Sequence, residues 1–271
     1  MVATNDKFHR AATLIDDEFY TPRWFIEEEI KGYDFGDAPI LCPCDGEHSQ
    51  FVQVFRDRGH RVYYGAGDYF NFLNAHQHIE GAIVATNPPF SLFRAFIDQL
   101  VGDDRYALFG ASGFRFLVVG PHTAISYLNI FRHARAGRLW FGCQVDTSVT
   151  YDRPVGVEKK AVASSFYTNL PKLAPSPLFK PSRGYTVADL KANGKWVVYD
   201  NRPDILFIGS KNDYPIDYFG LVAVPPSAGQ IFRDPRFELM EPCHFNDDLI
   251  NGKQKFARVV VRRRQDTGEF I

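Results

Sequence analysis

Short apolar runs alternate with amphipathic stretches through the first half of the chain, a rhythm that predicts strands separated by helices. "APILCPC" (38–44), "HRVYYG" (60–65) and "GAIVAT" (81–86) read as strands. Between the first two, "SQFVQVFRDRG" (49–59) predicts a helix capped by Ser49, with Phe51, Val52 and Phe55 inward and Gly59 as its stop. Strand, helix and strand make one βαβ unit, for which a right-handed crossover and parallel strands are expected. Upstream, "FYTPRWFIEEEIK" (19–31) predicts a helix to about Lys31, with Thr21 as its cap and Pro22 at its first position. After the third strand, "SLFRAFIDQLV" (91–101) sets Leu92, Phe93, Phe96, Ile97, Leu100 and Val101 on one helical face behind a Ser91 cap. "YALFG" (106–110), "FLVVG" (116–120) and "RLWFGCQVD" (138–146) are strand-like, with a helix at "HTAISYLNIFRHARAG" (122–137). From about residue 150 the rhythm fades into Pro- and Gly-spaced segments such as "LPKLAPSPLFKPSRG" (170–184). The expectation is an α/β domain over 1–150 and an irregular, β-rich region over 151–271 packed on it.

One junction interrupts this pattern. In "ATNPPFSLF" (85–93) two prolines follow a buried strand and precede a helix. Proline lacks an amide hydrogen and has a fixed φ, so the pair must lie where the chain leaves one element for the next. That places Asn87, Pro88, Pro89 and Phe90 at the carboxyl end of a strand, the edge at which open parallel sheets bind ligands.

Composition changes little in this picture: 45% of the 271 residues are hydrophobic and 23% charged, as in an ordinary globular protein, and 25 Phe and 13 Tyr supply much of the core. The N-terminus lacks the apolar segment of a secretory signal, and no apolar run approaches the ~20 residues of a membrane span, so a soluble, cytoplasmic protein with no membrane partner is expected. Cys42, Cys44, Cys143 and Cys243 lack zinc-site spacing and read as reduced thiols; no metal is expected. The net charge of −1 argues against an indiscriminate polyanion binder, but its distribution is uneven. Residues 1–150 hold 13 Lys and Arg against 18 Asp and Glu, net −5, whereas 151–271 hold 18 against 14, net +4. The excess includes "KQKFARVVVRRR" (253–264), where Arg258 precedes a valine strand and Arg262, Arg263 and Arg264 follow it. These arginines read either as phosphate contacts or as a solvated strand edge.

The Asn-Pro-Pro-Phe junction carries a specific chemistry. An exocyclic amino group on a nucleobase is a poor nucleophile because its lone pair is delocalised into the ring. The side-chain carbonyl of Asn87 and the next backbone carbonyl, at Pro88, are two acceptors in a stiff turn that can hold both amino hydrogens and favour a more tetrahedral nitrogen. Pro89 fixes the step to Phe90, whose ring can stack on a base that has left the duplex. The bland alternative is a Pro-Pro turn with a core phenylalanine.

At these residues the sequence resembles the adenine-specific DNA methyltransferases of the EcoRI type. The resemblance lies in "TNPPFSLFR" (86–94), "DEFYT" (17–21), "CPCD" (42–45), "AISYLNIFRHARAGRLWFG" (124–142), "FYTNL" (166–170) and "FGLVAVP" (219–225), in the family's order. It implies a Rossmann-like, doubly wound methyltransferase sheet, S-adenosyl-L-methionine as cofactor, double-stranded DNA as partner, and a C-terminal target-recognition region. It implies that Asn87, Pro88 and Phe90, with Pro89 holding the turn, meet the target adenine. Tyr20 and Thr21 become candidates at the methionine end of the cofactor, Asp45 the acidic residue of the first cofactor loop, and Asp68 the acceptor for the cofactor's adenine amino group, with Tyr69 or Phe70 against its ring. The family's loop usually reads Cys-Asn-Cys-Asp-Asp-Pro; here it is Cys42-Pro43-Cys44-Asp45-Gly46-Glu47, so a second contact at Glu47 or His48 is not defined. Residues 102–115 look like an insertion, and Trp140 or Phe141 could either sandwich the flipped base or pack in the core.

The function expected is site-specific transfer of a methyl group to the exocyclic amine of adenine in DNA, without a covalent enzyme intermediate. The competing readings are a methyltransferase acting on cytosine, an RNA adenine or a protein glutamine, and a non-catalytic DNA-binding protein on a degenerate methyltransferase scaffold.

Overall fold

Continuous burial marks the central strands. In the computed structural model, which describes residues 20–65, 67–102, 113–143, 147–152, 160–243, 249–254 and 257–265, every residue of Ile40–Cys42 (β1) and Ile83–Thr86 (β3) is buried. Such runs suit strands covered on both faces. With Val62–Tyr64 (β2) and Arg115–Pro121 (β4) they form a parallel sheet in the order β2-β1-β3-β4. The chain leaves β1 for β2 on one side and returns to β3 on the other, so the order reverses between β1 and β3.

The connecting helices follow from local signals. Ser49 accepts the Phe51 amide and caps Gln50–Asp57 (α2), and Gly59, at φ 84°, ends it as expected. The first helix, Arg23–Ile30 (α1), starts one residue beyond its predicted position. Pro22 is its extended N-cap residue, so Thr21 lies outside the helix and makes no cap. Phe25 and Ile26 from α1 and Phe51 and Phe55 from α2 fill one core with Ile40 and Phe166, the rings of Phe25 and Phe166 lying 4.7 Å apart. Asp68 caps Tyr69–His76 (α3), a helix that the apolar pattern does not predict. After the two prolines a 3₁₀ turn, Phe90–Leu92, precedes Phe93–Leu100 (α4). Because the Leu92 amide bonds back to Pro89, Ser91 sits within that turn rather than capping α4 as predicted.

The sheet does not stop near residue 150. Trp140–Phe141 (β5), Thr147–Tyr151 (β6) and Lys160–Thr168 (β7) extend it, with β7 antiparallel to β4, β5 and β6. Predicted strand residues 106–110 and 144–146, and the expected cofactor-side segment 17–19, lie outside the described residues. The described residues form two compact units. One takes those up to Pro121 together with Arg138–Pro175, and the other takes His122–Gly137 with those from Ser176 onward.

In the second unit, Leu128–Arg135 (α5) packs on the strand Phe237–Cys243, with Arg135 Nη1 donating to the Met240 carbonyl at 3.0 Å. A capping box between Thr186 and Asp189 starts Val187–Ala192 (α6), and Gly229–Arg233 is α7. Strands Val197–Val198 (β8), Ile205–Phe207 (β9), Leu221–Val224 (β10), Phe237–Cys243 (β11) and Arg258–Arg263 (β14) form a sheet in the order β11-β14-β10-β9-β8. Leu249–Ile250 (β12) and Lys253–Gln254 (β13) make a separate small hairpin. Among the described residues no helix is long and apolar enough to cross a membrane.

Candidate active site

The reversal between β1 and β3 brings the turns that follow them side by side, at the position where doubly wound sheets bind ligands. The first turn is Cys42-Pro43-Cys44-Asp45 and the second is Asn87-Pro88-Pro89-Phe90. They are bonded to each other: the Cys44 amide donates to Thr86 Oγ1 at 3.3 Å, and the Thr86 hydroxyl donates to Asp45 Oδ2. Ser49 donates its hydroxyl to the other oxygen of Asp45, and the Asn87 backbone N–H donates to the same carboxylate. Asp45 is only 7% exposed. Burial pushes its carboxyl up to about 6, against the three hydrogen bonds, which pull it down. Its expected position at the end of the first strand is thus met, but the side chain faces Thr86 and Asn87.

Within the second turn, Pro88 is buried while Asn87, Pro89 and Phe90 are half-buried. Phe90 packs against the main core and stands edge-on to Tyr151. The thiols of Cys42 and Cys44 are held well above their ordinary value by burial, with the Asp45 charge acting in the same direction. All four cysteines are free.

The remaining predicted residues divide. Tyr20 is 50% exposed, and its amide bonds the Asp152 carbonyl at 2.8 Å. Thr21 is 4% exposed, and its hydroxyl finds no hydrogen-bond partner among the described residues. A buried hydroxyl of this kind costs free energy unless something completes it. Asp68 is exposed and accepts from the amides of Phe70 and Asn71 at 3.1 and 3.2 Å and from Asn71 Nδ2 at 2.7 Å. Tyr69, in contrast, is buried between Phe70 and Phe96, with centroids 4.4 and 4.9 Å away, which leaves the half-buried Phe70 as the more open ring. Glu47 is exposed and pairs with Arg56 at 3.7 Å, and His48 is exposed. Phe141 is buried against Tyr167, so of the two aromatic candidates there Trp140 is the half-exposed one.

Two structural residues escaped the sequence reading. Glu29, fully buried on α1, accepts from the Tyr33 hydroxyl at 2.7 Å and the Cys143 amide at 2.6 Å, which ties Cys143 to α1. Its spacing from Phe25 and Ile26 put it on the inward face and could have revealed it. Tyr151, behind Phe90, carried no comparable signal.

In the second unit the basic run splits. Arg263 is buried, stacks over Phe219 at 4.0 Å and donates to the Ile216 carbonyl at 2.7 Å; Arg258 lies over Phe207 at 4.6 Å. Arg262 and Arg264 point outward, and both, with Arg135, bear electrostatically on Glu238.

Residues 65–265 match the family described as adenine-specific methyltransferase EcoRI. The chain belongs to that family. Its relatives match over nearly the whole of their own length. It is 25% identical over 327 aligned residues to the Type II methyltransferase M.MgeORF184P of Mycoplasma genitalium, covering 95% of this chain and 99% of that one. It is 26% identical over 328 to M.MpnI of Mycoplasma pneumoniae, covering 96% and 98%. Against M.EcoRI of Escherichia coli the identity is 23% over 333 aligned residues, covering 97% and 98%. This EcoRI-type adenine-specific methyltransferase therefore carries its Asn-Pro-Pro-Phe junction and the Asp68 turn inside the matched span, with Tyr20, Thr21 and Asp45 upstream of it.

Proposed function

We propose that this adenine-specific methyltransferase acts on double-stranded DNA, taking its methyl group from S-adenosyl-L-methionine and meeting the target adenine outside the duplex stack. The observation that carries the reading is the placement of the Asn87-Pro88-Pro89-Phe90 turn beside the β1 turn at the sheet's order reversal. On this reading the first unit is the cofactor-binding, catalytic part with a Rossmann-like, doubly wound sheet. The second unit, with its outward arginines, supplies target recognition.

The residues present fit the cofactor. The buried, unsatisfied Thr21 hydroxyl suits its polar methionine end, with Tyr20 alongside. Asp68 would accept from the cofactor's adenine amino group, with Phe70 or Tyr69 beside its ring. When bound, the cofactor supplies an electrophilic methyl group on a sulfonium whose charge is lost on transfer.

Asn87 Oδ1 and the Pro88 carbonyl accept the two amino hydrogens of adenine, drawing the nitrogen lone pair out of conjugation and fixing its direction. Phe90 takes the face of the displaced base, and its edge contact with Tyr151 sets the plane. The apolar surroundings favour a transition state in which the charge is dispersing. Because the relatives are Type II methyltransferases, a short fixed target site is proposed for this chain as well.

Mass spectrometry of nucleosides from unmethylated bacterial DNA, after incubation with enzyme and cofactor, tests this. N6-methyladenine is the expected product; methylated cytosine in its place, methylated RNA, or labelled protein with unmodified DNA overturns the proposed acceptor. Calorimetric titration with S-adenosyl-L-methionine tests the cofactor separately, and an absence of binding leaves a non-catalytic scaffold.

A further inference from the structure

We infer that Asp45 is a positioning residue, whose carboxylate locks the Asn87 turn to the first strand and so sets the direction in which Asn87 presents its acceptor.

The geometry argues for this at each bond. Cys44 N–H donates to Thr86 Oγ1, whose own hydroxyl is thereby directed at Asp45 Oδ2, so the hydroxyl acts as a relay with a defined polarity. The Asn87 backbone amide, the peptide immediately before the catalytic side chain, donates to the same carboxylate. On the other side Asp45 is anchored by the Ser49 hydroxyl, which also caps α2, and by its own amide to the Cys42 carbonyl at 3.2 Å. One buried side chain thus joins β1, the start of α2 and the end of β3. A group free to contact ligand would not need three internal donors.

Among the described residues no cation is bonded to the carboxylate. The ionisable groups around it are the thiols of Cys42 and Cys44 on the first turn, kept neutral by burial, and Arg56 of α2, which acts on Cys42 and pairs with Glu47. Thr86 and Asn87 on the β3 side do not ionise. Burying an uncompensated charge is unfavourable, and an apolar or amide side chain would avoid that cost. What the ionised form provides is acceptance from all of these donors at once. Asparagine cannot do the same, because its NH₂ turns a donor toward one of them. With the carboxyl pushed up to about 6, the lock is complete at neutral pH and lost in mild acid.

The inference rests on the reading of Asn87 as the acceptor for the target amine, and two readouts keep the two apart. Hydrogen exchange of the 84–92 peptide of the full chain, followed by mass spectrometry, needs no substrate: Asp45→Asn and the isosteric Thr86→Val should each speed exchange there. Single-turnover methyl transfer to unmethylated bacterial DNA then reads the consequence. Both variants should transfer about 10- to 100-fold more slowly, as expected for a small misplacement of a reacting group. Their dissociation constants for S-adenosyl-L-methionine should stay within about threefold of wild type, and the double variant should be about as slow as either alone. The wild-type rate should fall below about pH 6, and the Asp45→Asn rate should not. Unchanged exchange at 84–92 in both variants overturns the lock whatever the substrate is. Loss of cofactor affinity in step with rate makes Asp45 a cofactor contact and also overturns it. Failure of the wild type to methylate any DNA overturns the proposed acceptor alone, leaving the exchange result to decide the lock.

Discussion

The ring of Phe90 stands edge-on to that of Tyr151, with centroids 6.4 Å apart and planes at 84°. Edge-to-face pairs are directional, so the buried tyrosine holds Phe90 in one plane from behind. Phe90→Ala should therefore lower kcat/KM for DNA by roughly 5- to 150-fold, the range of one lost base–aromatic stack, while cofactor affinity is retained. Tyr151→Ala should do the same less directly and also unfold at lower temperature. Kinetics and thermal melts on the two variants check this.

Asn87→Ala removes one of the two acceptors proposed for the target amine and leaves the backbone bond to Asp45 in place. Turnover should drop by two to three orders of magnitude, about the worth of a single preorganised polar group aimed at the transition state, with little change in cofactor binding. Single-turnover rates beside calorimetric titrations show whether the two separate.

Asp68 caps α3 and is proposed to hold the cofactor's adenine as well, and substitutions can divide the two. Asparagine caps helices about as well as aspartate but carries no charge, so Asp68→Asn should keep the stability of α3 and weaken S-adenosyl-L-methionine binding. Asp68→Ala should weaken binding and also lose about 1 kcal/mol of stability. Urea titrations and cofactor affinity measured on both variants make the comparison.

The carboxyl of Asp45 also links stability to pH. Its value of about 6 in the fold lies above the ordinary aspartate value of 3.8, so the folded chain holds this proton more tightly than the unfolded chain. The resulting stabilisation is full below about pH 4 and is lost as pH rises through 6. Relative to Asp45→Asn, the wild type should lose about 2 kcal/mol between pH 4.5 and pH 7. Urea unfolding at the two pH values measures it, and the expected sign is opposite to that for the rate of transfer.

Arg263 and Arg264 are neighbours in sequence with different fates. Arg263→Ala should destabilise the second unit, since it leaves the Ile216 carbonyl and the Phe219 ring without their partner. Arg264→Ala should leave unfolding unchanged and reduce the slope of log affinity for DNA against log salt by about 1. Melting curves and salt-dependent binding distinguish the two.

How much of this was legible beforehand depended on how local each signal was. Buried strands such as Ile83–Thr86 and the Ser49 cap are written within a few residues, and both are found. The helix Tyr69–His76 was missed because its aromatic run, which buries only Tyr69 and Leu73, resembles a strand as much as a helix. Strand β7 was missed because Ser164, Ser165 and Thr168 are buried there; Thr168, for one, bonds the Phe116 carbonyl across the sheet at 2.6 Å. The Asn-Pro-Pro-Phe junction announced itself, whereas the Asp45–Thr86 bond joins residues 41 positions apart and follows no periodicity. Likewise, a run of arginines does not reveal which of them finds an inward ring.

Residues 122–137 belong with the second unit although residues of the first unit flank them on both sides, so the backbone passes from one unit to the other three times. A single recombination event replaces one contiguous stretch of chain. Here such an event downstream of Pro175 would carry over only part of the unit, leaving Ile130, Phe131 and the Arg135–Met240 bond to match an unfamiliar strand. With target recognition in the second unit, as proposed above, a new specificity in this chain is expected to arise by point substitution on the outward positions of the second sheet rather than by exchange of modules.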